Sequence, residues 1–313
     1  MSRIFEALQR SEPGHLPAED PGMVDQLFQA AERDANPVLA DLDHAPVLKP
    51  VPWQGSRLVA LTDRESLAAE KFRYLGVKLR QQQQQRALKR LLITSSLPEE
   101  GKSMVAANLA ATLGRRQRQR VLLIEGDLRR PVLAGQMGLG DLLGLAEWLQ
   151  QEREEEPEGL EELPQLGQNQ PGRRRDDLRR EPSKAPPLAA IYQLEGAGFW
   201  FLPAGAPPEN PLELLQSERM QQLMNQLAAR FDWIIVDSPP LLPVADTSVW
   251  ARLADGMLLV VREGKTEKRQ LQRALAGIDA ANVLGVVINS CSTTDEKHYY
   301  ARYHRAQASA EKP

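Results

Sequence analysis

The sequence predicts an α/β fold: a doubly wound, mainly parallel sheet with helices on both faces. Three observations predict it. Short, continuous apolar runs recur along the chain, without the alternation of a half-exposed strand. Amphipathic stretches at helical spacing separate them. One strand-to-helix junction reads Gly101-Lys102-Ser103, the form a phosphate-binding turn takes.

Taken in order, Ser2 to Arg10 reads as a short helix with Ile4, Phe5 and Leu8 on one face. Such a helix buries too little to persist undocked. Prolines at 13, 17, 21, 37, 46, 50 and 52 mark a tether, with one short helix near Val24 to Ala35. Residues 1–56 are therefore expected to precede a folded domain spanning 57–295. That domain opens with a helix over Ser66 to Arg86, striped by Leu67, Phe72, Leu75 and Leu79. Strand Leu91–Thr94 follows, then helix Ser103–Gly114, with Val105, Leu109 and Leu113 on one face. Further strands are expected at Val121–Ile124, Phe199–Leu202, Trp233–Val236, Gly256–Val261 and Val283–Ile288. Helices fit Pro211–Arg230, Asp246–Leu253 and Lys268–Ala280.

One stretch, about 150–187, breaks the rhythm. It is dense in Glu from 152 to 162, then mixes Arg with Asp and Glu from 173 to 181. An arginine patch for phosphates or membrane surface is one reading. The neighbouring acids favour the other, a disordered, self-neutralising surface insertion. Residues 296–313 read as a flexible tail.

Composition excludes several functions. With 39 basic against 42 acidic residues, net charge -3, no basic field favours nucleic acid. The single Cys, Cys291, rules out an internal disulfide framework or an all-Cys metal site. The N-terminus is too charged for a signal peptide, and no apolar run reaches the roughly 18 residues of a bilayer span. These features predict a cytoplasmic chain that reaches the inner face of the membrane only through a partner. Hydrophobic residues are 42%, yet mean hydropathy is -0.43, so polar segments dilute an ordinary core.

Strand Leu91–Thr94 runs into Ser95-Ser-Leu-Pro-Glu-Glu-Gly-Lys-Ser103 and then a helix. This is a P-loop context, which makes the fold P-loop NTPase-like. Loop amides and the positive helix end cradle phosphates. The nucleotide-binding set is Ser96, Glu100, Gly101, Lys102, Ser103 and Met104. Lys102 reaches the β- and γ-phosphates of ATP, and the Ser103 hydroxyl binds Mg²⁺. A surface loop reading Gly-Lys-Ser by accident would give no reason for the flanking strand and helix. Acids stand at the ends of two other strands, Glu125 and Asp127 on one and Asp237 on the other. Ligands in open α/β sheets bind beyond the carboxyl ends of strands. Asp237 has the Walker B position, and Ser103, Asp127 and Asp237 form the expected metal set. Alone, an acid after an apolar strand is a weak signal, with an ordinary strand-end cap as its alternative; the three acidic and loop motifs together are strong.

These motifs resemble the bacterial tyrosine kinases of capsule and exopolysaccharide synthesis, in their cytoplasmic single-chain form. The resemblance covers roughly residues 57 to 303 apart from the insertion. Ser95 to Ser103 matches the family's Walker A loop. Glu125, Asp127 and Arg129 match its second acidic motif, and Ile234 to Pro240 its Walker B. The resemblance implies catalysis by Lys102, Glu125, Asp127, Asp237 and Arg129, with Asn289 reading the adenine edge. It implies ATP-dependent autophosphorylation, on a neighbouring subunit, of the tail tyrosines Tyr299, Tyr300 and Tyr303. A terminal helix packing Tyr299 and Tyr303 is the structural alternative. It further implies regulation of polysaccharide polymerisation or export, a transmembrane co-polymerase or adaptor with an activating cytoplasmic tail, and a cognate phosphotyrosine phosphatase. Glu70 and Arg73 match part of a self-association motif and point to a homo-oligomer, but Gly76 stands where the family has a second Arg.

Two departures qualify the resemblance. Glu99 occupies a family Gly position and Glu125 a family Asp position. They favour one rival, a nucleotide-binding scaffold without turnover. The other rival is a partitioning-type ATPase, but the extra lysine of that class is Leu97 here.

Overall fold

The computed structural model describes Leu42 and residues 45–52, 56–115, 119–150 and 190–291. The N-terminal helix, most of the tether, the charged insertion and the tyrosine tail expected above lie outside the described residues.

The order of elements is β1 (Val47–Leu48), α1 (Val59–Thr62), α2 (Leu67–Gln85), β2 (Arg90–Ser95), α3 (Lys102–Gly114), β3 (Val121–Glu125), α4 (Leu133–Gln136), α5 (Leu145–Gln150), β4 (Tyr192–Leu194) and β5 (Trp200–Leu202). There follow α6 (Pro211–Gln216), α7 (Glu218–Arg230), β6 (Trp233–Asp237), α8 (Asp246–Leu253), β7 (Gly256–Arg262), α9 (Lys268–Ala276), a 3₁₀ turn at Ala280–Asn282 and β8 (Val283–Asn289). The strands form one eight-stranded sheet in the order β1-β4-β5-β3-β6-β2-β7-β8. Every pairing is parallel except β4 with β5.

Strands β3 and β6 are buried along their whole length, as continuous apolar runs require when both sheet faces are covered. Leu91 and Ile93 of β2 and Leu123 of β3 pack in one core with Val105, Leu109 and Leu113 of α3. Met220, Leu223, Met224 and Leu227 of α7 are buried as well. Buried Asn108 in α3 staples the entering chain: its Oδ1 accepts Ala60 N–H at 2.8 Å, and its Nδ2 donates to the Arg57 carbonyl at 2.9 Å.

The structure differs from the sequence reading in four places. The sheet begins before residue 57, because β1 pairs with β4 and Val51 N–H donates to the Met137 carbonyl at 2.8 Å. The expected helix Pro211–Arg230 is two helices. Ser217 is extended (φ -64, ψ 150) and its Oγ accepts Met220 N–H at 3.2 Å, starting α7 afresh. Helix α9 stops at Ala276, and the chain turns through a separate 3₁₀ segment. The short elements α1, α4, α5 and β4 lie in stretches with no assignment from sequence.

Gly126, between the acids of β3, shows how closely α8 approaches the sheet end. A Cβ there would lie 2.9 Å from the Trp250 ring and from Val236 Cγ1. Trp250 Nε1 donates to the Gly126 carbonyl at 3.1 Å. Replacing Gly126 by Ala overpacks this contact and is expected to destabilise the fold by about 1–3 kcal/mol. A lower urea midpoint with an unchanged slope is the result expected.

Candidate active site

Parallel pairing assembles the site. Strand β6 lies between β3 and β2, with Asp237 in register with Glu125 on one side and Ile93 on the other. The three strand ends therefore share one edge, where α/β sheets bind ligands. The loop after β2 turns through Gly101 (φ +94) into α3, whose first turn begins with Lys102 and Ser103. Its leading N–H groups have no partners within the helix and present partial positive charge. Only glycine fits at 101, because a Cβ would lie 2.0 Å from Asn289 Nδ2.

A cleft of about 540 Å³ opens over this edge, bounded by Lys102, Ser103, Asp127, Arg129 and the Pro239–Pro240 turn. Lys102 Nζ lies 3.1 Å from Asp127 Oδ2 and 4.0 Å from Asp237 Oδ1. Burial alone would lower its pKa, but Asp237, Asp127 and Glu125 outweigh burial and hold it above the ordinary lysine value. Asp237 is fully buried, and its carboxylate is only sparsely paired, with the Ser103 hydroxyl and the Lys102 ammonium as its favourable neighbours. Burial pushes its pKa up to about 6, against the opposing pull of Lys102.

A buried carboxylate so sparsely paired is costly unless a cation completes it. Asp237, Asp127 and the Ser103 hydroxyl fit that role. Among the described residues no three His, Cys, Asp or Glu side chains converge. A cation held here would draw its remaining ligands from substrate and water, the pattern of Mg²⁺ rather than of a caged ion.

Other expected residues sit differently. Glu125 is buried, and its carboxylate is committed to backbone amides. Its Oε1 accepts Val132 N–H at 2.6 Å and Leu133 N–H, and its Oε2 accepts Ala204 N–H at 3.3 Å. Burial raises its pKa, and those amides oppose the rise. The longer side chain thus binds the loop leading into α4. The Arg129 guanidinium is also engaged, holding buried Asp246 through Nε and Nη2 at 2.7 and 3.0 Å. Asp127 accepts Arg130 N–H on its other oxygen at 3.1 Å. Ser96 is buried at the loop's start.

Asn289 donates from Nδ2 to the Glu100 carbonyl at 2.9 Å. It borders a second cleft, about 750 Å³, shared with Met104, Phe72 and Ile288. Glu99 adopts φ +63, the region a glycine prefers. Its side chain is exposed, with Oε2 3.7 Å from Lys265 Nζ. Arg73 Nε donates to Glu70 Oε2 at 2.6 Å within α2, while Gly76 is buried near Leu113 and Thr112 of α3. The three tail tyrosines lie outside the described residues. Asp246 and Thr266 were missed from sequence. For Asp246 the available signal was an acid opening a helix after a proline-rich turn; Thr266 carried none. Glu100 was expected in the phosphate loop, but its tie to Thr266 was not.

A parallel sheet that brings a Gly-Lys-Ser loop against two buried carboxylates defines a P-loop phosphotransfer protein. No family model matches the chain. It is 31% identical over 252 residues to tyrosine-protein kinase YwqD of Bacillus subtilis, covering 79% of this chain and 92% of that one. It is 30% identical over 240 residues to tyrosine-protein kinase wzc of Salmonella typhimurium, covering 76% of this chain but only 29% of that one. Among solved structures, the kinase domain of Escherichia coli tyrosine kinase ETK matches with TM-score 0.58 and 27% identity, over 83% of this chain and 89% of that one. The chain belongs to the bacterial tyrosine-protein kinases of capsule and exopolysaccharide synthesis, and it is an ATP-binding protein-tyrosine kinase.

The Asp237 environment makes a pH-dependent prediction. The folded value, about 6, lies above the ordinary 3.8. Folding therefore takes up a proton in that window, and the nucleotide-free protein loses this contribution as pH rises through about 6. Asp237→Asn removes the cost. It is expected to stabilise the nucleotide-free protein at pH 7.5 by about 1–3 kcal/mol. The gain should shrink below pH 5, as thermal melts across pH would show.

Proposed function

We propose that the chain is a Mg²⁺-dependent autokinase that phosphorylates Tyr299, Tyr300 and Tyr303 of its own tail, on a neighbouring copy. This modification regulates polysaccharide polymerisation or export. The observation that carries the reading is the buried trio of Lys102, Asp127 and Asp237 at the mouth of a phosphate-binding loop.

In this reading the α3 N-terminus and Lys102 hold the ATP phosphates. Ser103, Asp127 and Asp237 hold Mg²⁺, which neutralises charge developing on the transferring group. Asp127, within the cleft, is placed to accept the tyrosine hydroxyl proton as the oxygen–phosphorus bond forms and ADP departs. Glu125 shapes the loop of residues 126–132, and Arg129 braces it through Asp246. With no helix among the described residues long and apolar enough to cross a membrane, membrane association is assigned to a partner carrying an activating cytoplasmic tail. Glu70 and Arg73 supply part of the contact between copies, and a phosphotyrosine phosphatase resets the tail.

Incubation of the purified full chain with ATP and Mg²⁺, followed by phosphotyrosine mapping, tests this. Phosphate is expected on the tail tyrosines of the native chain. Lys102→Met should lower incorporation at least a hundredfold by removing the phosphate contact. Unmodified tail tyrosines, even with a membrane adaptor's cytoplasmic tail added, would defeat the reading.

Glu99 gives a second reading its specific support, a scaffold that binds nucleotide without turnover, because a carboxylate and a strained backbone stand at the loop. Glu99→Gly separates the two. For an active kinase it should tighten ATP binding several-fold and raise a rate already present. For a scaffold it would create activity the native chain lacks.

A further inference from the structure

A carboxylate buried inside a phosphate-binding loop opposes the loop's purpose unless its charge is committed elsewhere. Glu100, one residue before the turn glycine, is only 3% exposed. Its Oε2 accepts the Leu97 N–H at 2.9 Å, folding the loop back on itself. Its Oε1 accepts the hydroxyl proton of Thr266, a residue in the turn between β7 and α9.

The Thr266 hydroxyl is held in place for that donation. Its Oγ1 accepts Arg262 N–H at 2.9 Å, and its own N–H donates to the Arg262 carbonyl at 3.1 Å. The hydroxyl lone pairs are thus engaged on the turn side, and its proton is left for Glu100. A third tie completes the brace: Asn289, at the end of β8, donates to the Glu100 carbonyl at 2.9 Å. Glu100 is the point where the phosphate loop, the β7–α9 turn and the last strand meet.

We propose that Thr266 is a positioning residue for the kinase reaction, holding Glu100 and through it the 97–101 loop in the shape that receives ATP phosphates. Thr266 touches no substrate. Without its hydroxyl, Glu100 keeps one hydrogen bond for two buried oxygens. The carboxylate then leaves the interior and releases the Leu97 amide with it. The affinity for nucleotide falls because the loop is no longer preorganised. The inference rests on the reading that ATP binds this loop, so the experiment measures binding apart from turnover.

Titration calorimetry with MgATP on the full chain, beside steady-state kinase assays, compares the native protein with Thr266→Val and Thr266→Ser. A hydrogen bond to a charged acceptor is strong enough to predict a loss of roughly tenfold to a hundredfold for Thr266→Val. The KM for ATP should rise in parallel, with kcat at saturating ATP within about threefold of native. Thr266→Ser, which keeps the hydroxyl, should stay within about threefold of native throughout. Thr266→Val binding within twofold of native overturns the proposal. So does Thr266→Ser losing as much as Thr266→Val, since only packing would then matter. Native protein that fails to bind MgATP overturns the nucleotide reading itself. If Thr266→Val does not fold by circular dichroism, Thr266→Ala is the substitute. It removes the same hydroxyl, so the same loss of affinity is expected, and unchanged affinity again overturns the proposal.

Discussion

Strand β6 is the constraint on which the site depends. Because it pairs in parallel on both sides, Asp237 stands level with Glu125 and two residues short of Ser95 at the end of β2. A slip of one residue would turn Asp237 to the opposite face of the sheet. Two devices hold the register. Trp233 to Val236 are buried on both faces, so any shift exchanges packed neighbours. At the opposite edge, Asp232 accepts Arg120 N–H at 2.7 Å, fixing where β3 starts relative to β6. Asp255 does the same for β2, accepting the N–H groups of Lys89 and Arg90 at 2.9 and 2.8 Å. Although burial works against it, those amides and the Arg90 guanidinium hold Asp255 below the usual carboxylate value. Acids at one end of the sheet set the register that brings acids together at the other.

The two departures from the family pattern have different physical outcomes. At 99 the backbone keeps the conformation that glycine prefers, and a glutamate occupies it with its side chain outward, beside Lys265. The loop's path is therefore set by its surroundings and not by the residue at that position. At 125 the extra methylene finds work. It carries the carboxylate to the amides that lead into α4. Of the acid pair that the resemblance names, Asp127 is the one that lines the cleft.

Much of this was legible in the sequence, and the gaps have physical causes. The long buried strands announced themselves as apolar runs, and Gly101-Lys102-Ser103 located the phosphate loop. Strands β1 and β4, two and three residues long, carry too little pattern to be seen. The break at Ser217 was hidden because Leu215, Met220, Leu223 and Leu227 continue a plausible apolar stripe through it. What periodicity cannot carry at all is contact between distant residues. Glu100 and Thr266 are 166 positions apart, and nothing local marks either as the other's partner. Arg129 and Asp246, 117 positions apart, were hidden for the same reason.

The charges around Lys102 also bear on the order of events at the site. Without nucleotide the lysine is shared between Asp127 and Asp237, and Asp237 sustains its charge poorly. A polyphosphate entering this cleft competes with both carboxylates for the same ammonium. If the lysine turned to the phosphates alone, two buried carboxylates would face added negative charge with no cation between them, and that arrangement is strongly disfavoured. Asp127, Asp237 and the Ser103 hydroxyl would hold a divalent cation bound with the phosphates, and it would supply the missing countercharge there. Lys102 would then be free to pair with the nucleotide, which would link nucleotide and cation affinity through a single side chain. The sparse pairing of buried Asp237 fits such a site, because its oxygens are not committed to a network of backbone donors.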